Sequence, residues 1–346
     1  MRDAGINYLA VSNLDEALEI RKIDKTIKIL CLEPISIKYI KEIISNDITI
    51  TINDLEYFNK INKEKINKKI KAHLKINSGM NRLGFNKKED LKYLIDNNDI
   101  LDIEGVYTHF ATTGFIDKYY DIQLNNFKEI ISVLDLNKIK IIHGFRSLTL
   151  FNHPKDNIFN GIRIGISLYG IKPNIKLDST FKNKLRMIKY NYIIKKNKIS
   201  KLVYDNNTKI NASLSFYTKV IQINKIKKGE FVSYGAMHVA KEDEIVATLE
   251  VGYADGFMRS NTGGYVFINN KKYKIIGDIG MMMISVLVDD NVKVGDTVEL
   301  IGDNIPIYEV AKRCNTTSYE IYCALSAKIP RIYINNDGDI LEEHIY

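Results

Sequence analysis

The residues best able to do chemistry sit in short, glycine-bounded segments. In LEVGYADGFM, residues 249 to 258, an apolar run delivers Tyr253 into a turn bounded by Gly252 and Gly256. Glycine on both sides relaxes the backbone so that the phenol can be aimed, and the Asp255 carboxylate can close the turn on nearby N–H groups. A tyrosine so placed can exchange a proton with a substrate, or it can be an ordinary turn residue. Elsewhere Lys75, His109, His143 with Ser147, and Arg163 with Gly165 stand at the ends of β-rich runs. The Ser147 hydroxyl and the backbone N–H groups of Gly165 and Ile166 suit the oxygens of a phosphate. Plainer roles remain open for each: a loop serine closes turns, a strand-end histidine satisfies neighbours, and Arg163 can form a surface ion pair.

The elements that must position these groups alternate. Strand-like runs fall at 8 to 12, 27 to 33, 48 to 52, 72 to 76, 103 to 110, 139 to 143 and 162 to 170. Between them lie stretches such as LDEALEIRK and DIQLNNFKEIISVL with apolar residues at helical spacing. This alternation predicts an α/β fold with a parallel sheet of (β/α) barrel type, whose reactive groups lie at the C-terminal strand ends. Seven strands are read where a closed barrel needs about eight. Residues 1 to 4 read as the tail of a helix and Gly5 as its closing glycine, so the first βα unit is expected to be absent. The barrel domain is expected over 1–174, and 175–211, dense in Lys and Asn, reads as an insertion or mobile linker. Over 212–346, short alternating runs predict a mostly antiparallel β domain that carries Tyr253.

Composition narrows the function classes. With 346 residues, 45% of them hydrophobic, the chain can fill two cores. The formal charge of +8 comes from dispersed lysines without an Arg-rich or aromatic-interleaved patch, so anionic small ligands are expected and nucleic acid is not. No apolar run approaches the roughly 20 residues of a membrane span. Cys31, Cys314 and Cys323 lack metal-ligand spacing and would leave one thiol over in any disulfide scheme, which predicts reduced thiols in a cytoplasm and no metal.

The segments KINSGMNRLGF (75 to 85), EGVYTHFA (104 to 111), IRIGISLYG (162 to 170), VSYG (232 to 235), GYADGFMR (252 to 259) and TSYEIYCAL (317 to 325) occur in this order. In series they resemble alanine racemase, a pyridoxal-phosphate enzyme with a barrel and a β domain. The resemblance spans nearly the whole chain apart from the insertion. It implies interconversion of L-alanine and D-alanine, a precursor for the cell wall, with pyridoxal 5'-phosphate as cofactor and a homodimer with shared active sites. It implies that Tyr253 exchanges a proton on one face of the substrate α-carbon from across the dimer interface. Arg82 and Met281 are implied to contact substrate, and Lys75 to be a carbamylated support for Arg82. Ser147, Gly165, Ile166 and Tyr319 are implied to hold the phosphate, and His109 to join the hydrogen-bond network of Arg163. Arg163 is implied to face the pyridine nitrogen, where a cation disfavours protonation and suits two-base racemisation. Fold-related decarboxylases are implied to place a carboxylate there.

The sequence also departs from that pattern. The Lys-Ala-Asp/Asn-Ala-Tyr-Gly type segment, whose lysine forms the Schiff base and supplies the second base, is not found in this sequence. His-x-Ala-Asn-Ser reads His143, Gly144, Phe145, Arg146, Ser147, and Cys-Met-Asp reads Gly280, Met281, Met282. This chain alone is therefore expected to bind cofactor weakly and to racemise alanine slowly. Two other readings stand beside the racemase: a non-catalytic binding or dimerising homologue, and a fold-related pyridoxal-phosphate enzyme for another amino acid.

Overall fold

The computed structural model describes residues 2–112, 118–152, 156–171, 181–196, 210–335 and 337–344, which fall into two compact units, Met1–Ile210 and Asn211–Tyr346. In the first unit the strands are β1 (Tyr8–Val11), β2 (Lys28–Cys31), β3 (Ile48–Ile52), β4 (Ile70–Lys75), β5 (Leu101–Tyr107), β6 (Ile141–Arg146) and β7 (Gly161–Arg163). Its helices are α1 (Leu14–Ile23), α2 (Ile40–Ser45), α3 (Leu55–Asn62), α4 (Lys88–Asp96), α5 (Lys118–Ile130), α6 (Ser147–Asn152) and α7 (Phe181–Lys196). The seven strands form one parallel sheet in sequence order, the near-barrel that βα alternation predicts. Every residue of β3, ITITI, is buried, as a strand covered on both faces requires. Asn13 and Asp54 start α1 and α3 by accepting from the N–H groups of Glu16 and Tyr57, which satisfies donors that a helix start leaves open.

Of the 175–211 linker, residues 175–180 and 197–209 lie outside the described residues. Its described centre is α7, where the sequence showed no clear period. Two strand expectations are corrected, the first being the run at 103 to 110, which ends as a strand at Tyr107 and leaves His109 in the loop that follows. The run at 162 to 170 is not continuous: β7 stops at Arg163, and Ile166–Tyr169 form a 3-10 turn closed by Gly170 at φ 76°. The Gly165 N–H turns to the Ser147 hydroxyl at 3.0 Å, so the backbone there bonds a side chain and leaves the sheet.

In the second unit the strands are β8 (Phe216–Ile226), β9 (Phe231–Val232), β10 (His238–Val239), β11 (Glu244–Leu249), β12 (Tyr265–Ile268), β13 (Lys271–Ile276), β14 (Ile284–Val288) and β15 (Thr297–Ile301). Helices α8 (Ile307–Arg313) and α9 (Ser318–Ala324) precede a hairpin of β16 (Arg331–Ile334) and β17 (Ile340–His344). Six of these strands close an antiparallel barrel in the order β11, β14, β13, β12, β15, β8. Alternation in β14, ISVLV, sends Ile284, Val286 and Val288 into its core.

Candidate active site

In the first unit the functional side chains gather at the C-terminal ends of β4 to β7, around one aromatic ring. Tyr107, the last residue of β5, is buried, and its hydroxyl donates to the Leu32 carbonyl at 3.2 Å with the Thr51 hydroxyl at 2.9 Å. The His143 imidazole stacks on the Tyr107 ring, centroids 4.7 Å apart. The Lys75 Nζ lies 4.3 Å and the Arg163 Cζ 5.0 Å from the same ring centroid, placing two cations against one aromatic quadrupole.

Arg163 is held by neutral acceptors. Its Nη1 donates to His143 Nδ1 at 2.6 Å and to the His143 carbonyl at 3.3 Å, and its Nη2 donates to the Thr108 carbonyl at 2.7 Å. Among the described residues it has no carboxylate partner, so the surface ion-pair role does not apply. Desolvation lowers its pKa to about 10, which leaves it cationic at neutral pH.

The bonds fix the protons of the histidines behind it. Burial and the Arg163 charge push His143 well below its ordinary value, and burial brings His73 down to about 4, so both rings are neutral at pH 7. Because His143 Nδ1 accepts from Arg163, its Nε2–H donates to His73 Nδ1 at 2.9 Å. His73 Nε2–H in turn donates to the Tyr8 hydroxyl at 3.1 Å. The histidine donors of this row point away from Arg163, and among the described residues no carboxylate hydrogen-bonds to Tyr8, His73 or His143.

One glycine makes room for the row, and a second makes room for the aromatic packing beside it. A Cβ on Gly105 would stand 2.6 Å from the His73 ring, and the β4–β5 register shifts at Ala72/His73 beside it. A Cβ on Gly144 would stand 2.6 Å from the Phe159 ring, and the β6–β7 register shifts across this residue, between His143 and Phe145. Such bulges re-aim the neighbouring side chain, here His143.

Lys75 is almost fully buried, and desolvation first, then the charges of Arg163 and Arg82, lower its amine to about 7. Arg82 is exposed on the loop after β4. That loop returns to the strand through Phe85 N–H to Lys75 O at 2.8 Å, across Gly84, which only a glycine can occupy at φ 121° with Lys75 O 2.7 Å from its missing Cβ. Burial, then Arg163, Lys75, Arg146 and Arg82, lower the half-buried His109 to about 3. The carbonyl beside Arg163 belongs to Thr108, and His109 itself is held through its own carbonyl by Gln123 at 3.3 Å.

Ser147 opens α6 and is buried; its hydroxyl oxygen accepts from the N–H groups of Gly165 at 3.0 Å and Ser167 at 3.5 Å. The Ile166 N–H between them has no acceptor among the described residues. A hydroxyl, converging N–H groups and a run of cations without a carboxylate form a donor set for an anion.

The remaining expected residues belong to the second unit, where Tyr253 and Met281 are joined. Tyr253 opens a 3-10 turn whose N–H groups at Tyr253 and Ala254 donate to the Gly280 and Met281 carbonyls, both at 3.0 Å. The Asp255 carboxylate accepts from the Gly252 N–H at 2.9 Å, as the turn chemistry predicts. Gly252 is required by space: a Cβ there would stand 2.2 Å from the Met281 carbonyl oxygen. Ser326 N–H donates to Asp255 O at 3.1 Å, tying the turn to the segment after α9, the helix that carries Tyr319. Tyr253, Met281 and Tyr319 are each about half exposed.

Sequence reasoning missed Tyr107, His73 and Tyr8. The available signal was partial: the β5–β6 register pairs Tyr107 with His143 and the β4–β5 register sets His73 opposite Gly105, while Tyr8 lies on β1 and pairs with Lys28.

Comparisons with known proteins place this arrangement. Residues 1–173 match the family described as alanine racemase, N-terminal domain, and residues 213–333 match alanine racemase, C-terminal domain. An alanine racemase of Halalkalibacterium halodurans is 32% identical, covering 98% of this chain and 84% of the relative. One of Methanococcus maripaludis is 33% identical over 96% of this chain and 85% of its own length. Among solved structures, alanine racemase from Clostridium difficile 630 superposes with a TM-score of 0.83 at 30% identity, covering 98% of this chain and 85% of that one. The Bartonella henselae enzyme, solved with covalently bound pyridoxal phosphate, superposes with a TM-score of 0.79 at 26% identity, covering 96% and 86%.

Proposed function

The chain belongs to the alanine racemase family, pyridoxal-phosphate-dependent isomerases of alanine, and from that premise we propose which of its residues hold the cofactor and move the protons. The donor set fits the group. Ser147 with the N–H groups of Gly165 and Ile166 would hold the phosphate, Tyr319 would add its hydroxyl, and Arg163 would face the pyridine nitrogen. When bound, the cofactor withdraws electrons from the substrate α-carbon and acidifies its C–H bond.

Arg163 then decides how far that withdrawal goes. Its guanidinium stays charged, and its histidine neighbours are neutral and point their protons away, so nothing in the row offers a proton to the pyridine nitrogen. A cation in that position opposes a second positive charge. Tyr253 would take or return a proton at one face of the α-carbon, while Arg82 and Met281 orient the substrate. His109, neutral among four cations, would fill the wall beside Arg163 without adding charge.

Lys75 would support Arg82 as a carbamate. With its pKa lowered to about 7 by burial and the neighbouring arginines, the amine is available in its unprotonated form at neutral pH. Such an amine can attack carbon dioxide, forming an N–C bond as one C=O π bond opens and releasing a proton, and the product is an anion that the charges of Arg163 and Arg82 favour where they disfavour an ammonium. We place the working protein in the cytoplasm as a homodimer in which Tyr253 completes the partner's site.

The observation that carries this reading is Arg163, a buried-side cation with only neutral acceptors. The test is purification of the chain, titration with pyridoxal phosphate, borohydride reduction with peptide mapping, and assay of D-alanine formation. Cofactor absorbance lost in Arg163→Ala and Ser147→Ala supports the assignment. Binding unchanged in both variants overturns it, and a label on Lys75 overturns the carbamate role.

A further inference from the structure

Helix α7 is absorbed by none of this chemistry. It runs from Phe181 to Lys196 in the lysine-rich segment between the two family domains. Among its described side chains the exposed apolar ones are Phe181 (78%), Leu185 (51%), Ile188 (66%) and Tyr192 (62%). Their spacing of i, i+4, i+7 and i+11 puts all four on one stripe about 60° wide at 3.6 residues per turn. The same register sets the exposed Lys184 and Lys195 along one border of the stripe and the exposed Lys189 and Lys196 along the other. Residues 179 to 204 contain no acidic residue.

An exposed apolar ridge needs an occupant, and the charge pattern selects it. A second copy of α7 would bring lysine rows against lysine rows in either orientation, because both borders carry them. A soluble acidic partner would have to supply a groove with carboxylates on both rims. An anionic bilayer supplies the match without any such fit: the apolar stripe enters the headgroup and acyl boundary, and lysine stems let ammonium groups on both borders reach the phosphates. The helix is about 24 Å long, enough to lie in the plane with four anchors. No helix among the described residues is long and apolar enough to cross a membrane, and this mode requires none.

We propose that α7 is an in-plane anchor that seats this protein on anionic lipid surfaces through Phe181, Leu185, Ile188 and Tyr192. The inference is independent of the active-site assignments. The chain contains no tryptophan, so Leu185→Trp in the full-length protein reports on the stripe alone. With vesicles of phosphatidylcholine and phosphatidylglycerol in equal parts, the protein should co-sediment and the Trp emission should shift to the blue. Phosphatidylcholine vesicles should bind it far less.

Lys189→Gln with Lys195→Gln should weaken partitioning roughly twenty-five-fold, about fivefold per lysine. Ile188→Glu and, separately, Tyr192→Glu should abolish the vesicle-bound fraction while the far-UV spectrum is unchanged. Four results overturn the proposal. They are no binding to the mixed vesicles; binding that survives both glutamate substitutions, which makes it adsorption by net charge; a blue shift without lipid that grows with protein concentration, which makes the occupant a second copy; and an equal blue shift with polyglutamate, which makes it an acidic protein.

Discussion

Replacing His143 by Leu tests whether Arg163 is held by the neutral histidine row. The substitution keeps an apolar side chain of similar size against Tyr107 and removes two bonds, Arg163 Nη1 to Nδ1 at 2.6 Å and Nε2 to His73 Nδ1 at 2.9 Å. The first involves a charge and is worth about 2 kcal/mol; the second is neutral and worth about 1 kcal/mol. A loss of about 3 kcal/mol lowers the unfolding temperature of a unit this size by roughly 6–12 °C. Thermal and urea unfolding should be followed by circular dichroism for wild type, His143→Leu, Arg163→Met and the double variant. The cycle should give a coupling of about 1.5–3 kcal/mol between the two positions, since the one acceptor that Arg163 Nη1 keeps, the backbone carbonyl of residue 143, is 3.3 Å away. His143→Asn, whose amide oxygen can accept from Arg163, should recover part of the loss. A coupling under about 0.5 kcal/mol, or Asn and Leu behaving alike, would refute the row as the support of Arg163.

Three further outcomes follow from the same geometry. His73 is neutral in the fold with its pKa lowered to about 4, so the unfolded chain binds the extra proton first; stability should fall as pH drops from about 6.5 toward 4, and His73→Leu should make that part of a urea-midpoint curve less steep, the rest of the slope belonging to His109 and His143. For Lys75, lowered to about 7, the unfolded chain again holds more protons between pH 7 and about 10.5, so without carbon dioxide stability should rise with pH across that window more steeply in wild type than in Lys75→Met. Gly252→Ala forces a Cβ to 2.2 Å from the Met281 carbonyl oxygen, and it should cost more than about 2 kcal/mol in the second unit while Ala254→Gly costs less than about 1 kcal/mol, read by urea unfolding.

How much of this was legible in the sequence depended on whether the signal was local. Strand alternation is local, so β3 and the strands of the second barrel could be read from their own residues; turn chemistry is local too, and the Asp255 carboxylate closes the Tyr253 turn as its neighbours required. The run at 162 to 170 misled because alternation alone cannot show that a side chain eighteen residues away captures the Gly165 N–H and takes the backbone out of the sheet. The same limit hid the centre of the site. Tyr107 looks like one more apolar strand residue until β4, β5 and β6 stand in register, and His73 reads as a polar residue in a buried strand until Gly105 is seen to clear the space for its ring. What the sequence marked were groups proposed to meet ligands, in the clearest case Tyr253, which glycines bound on both sides. The groups that orient those groups carry no local mark. The row from Arg163 to Tyr8 joins strands that are distant in sequence: each member needs only to be a hydrogen-bonding side chain on the inward parity of its own strand, and a neutral one, since a carboxylate in the row would draw Arg163 into an ion pair.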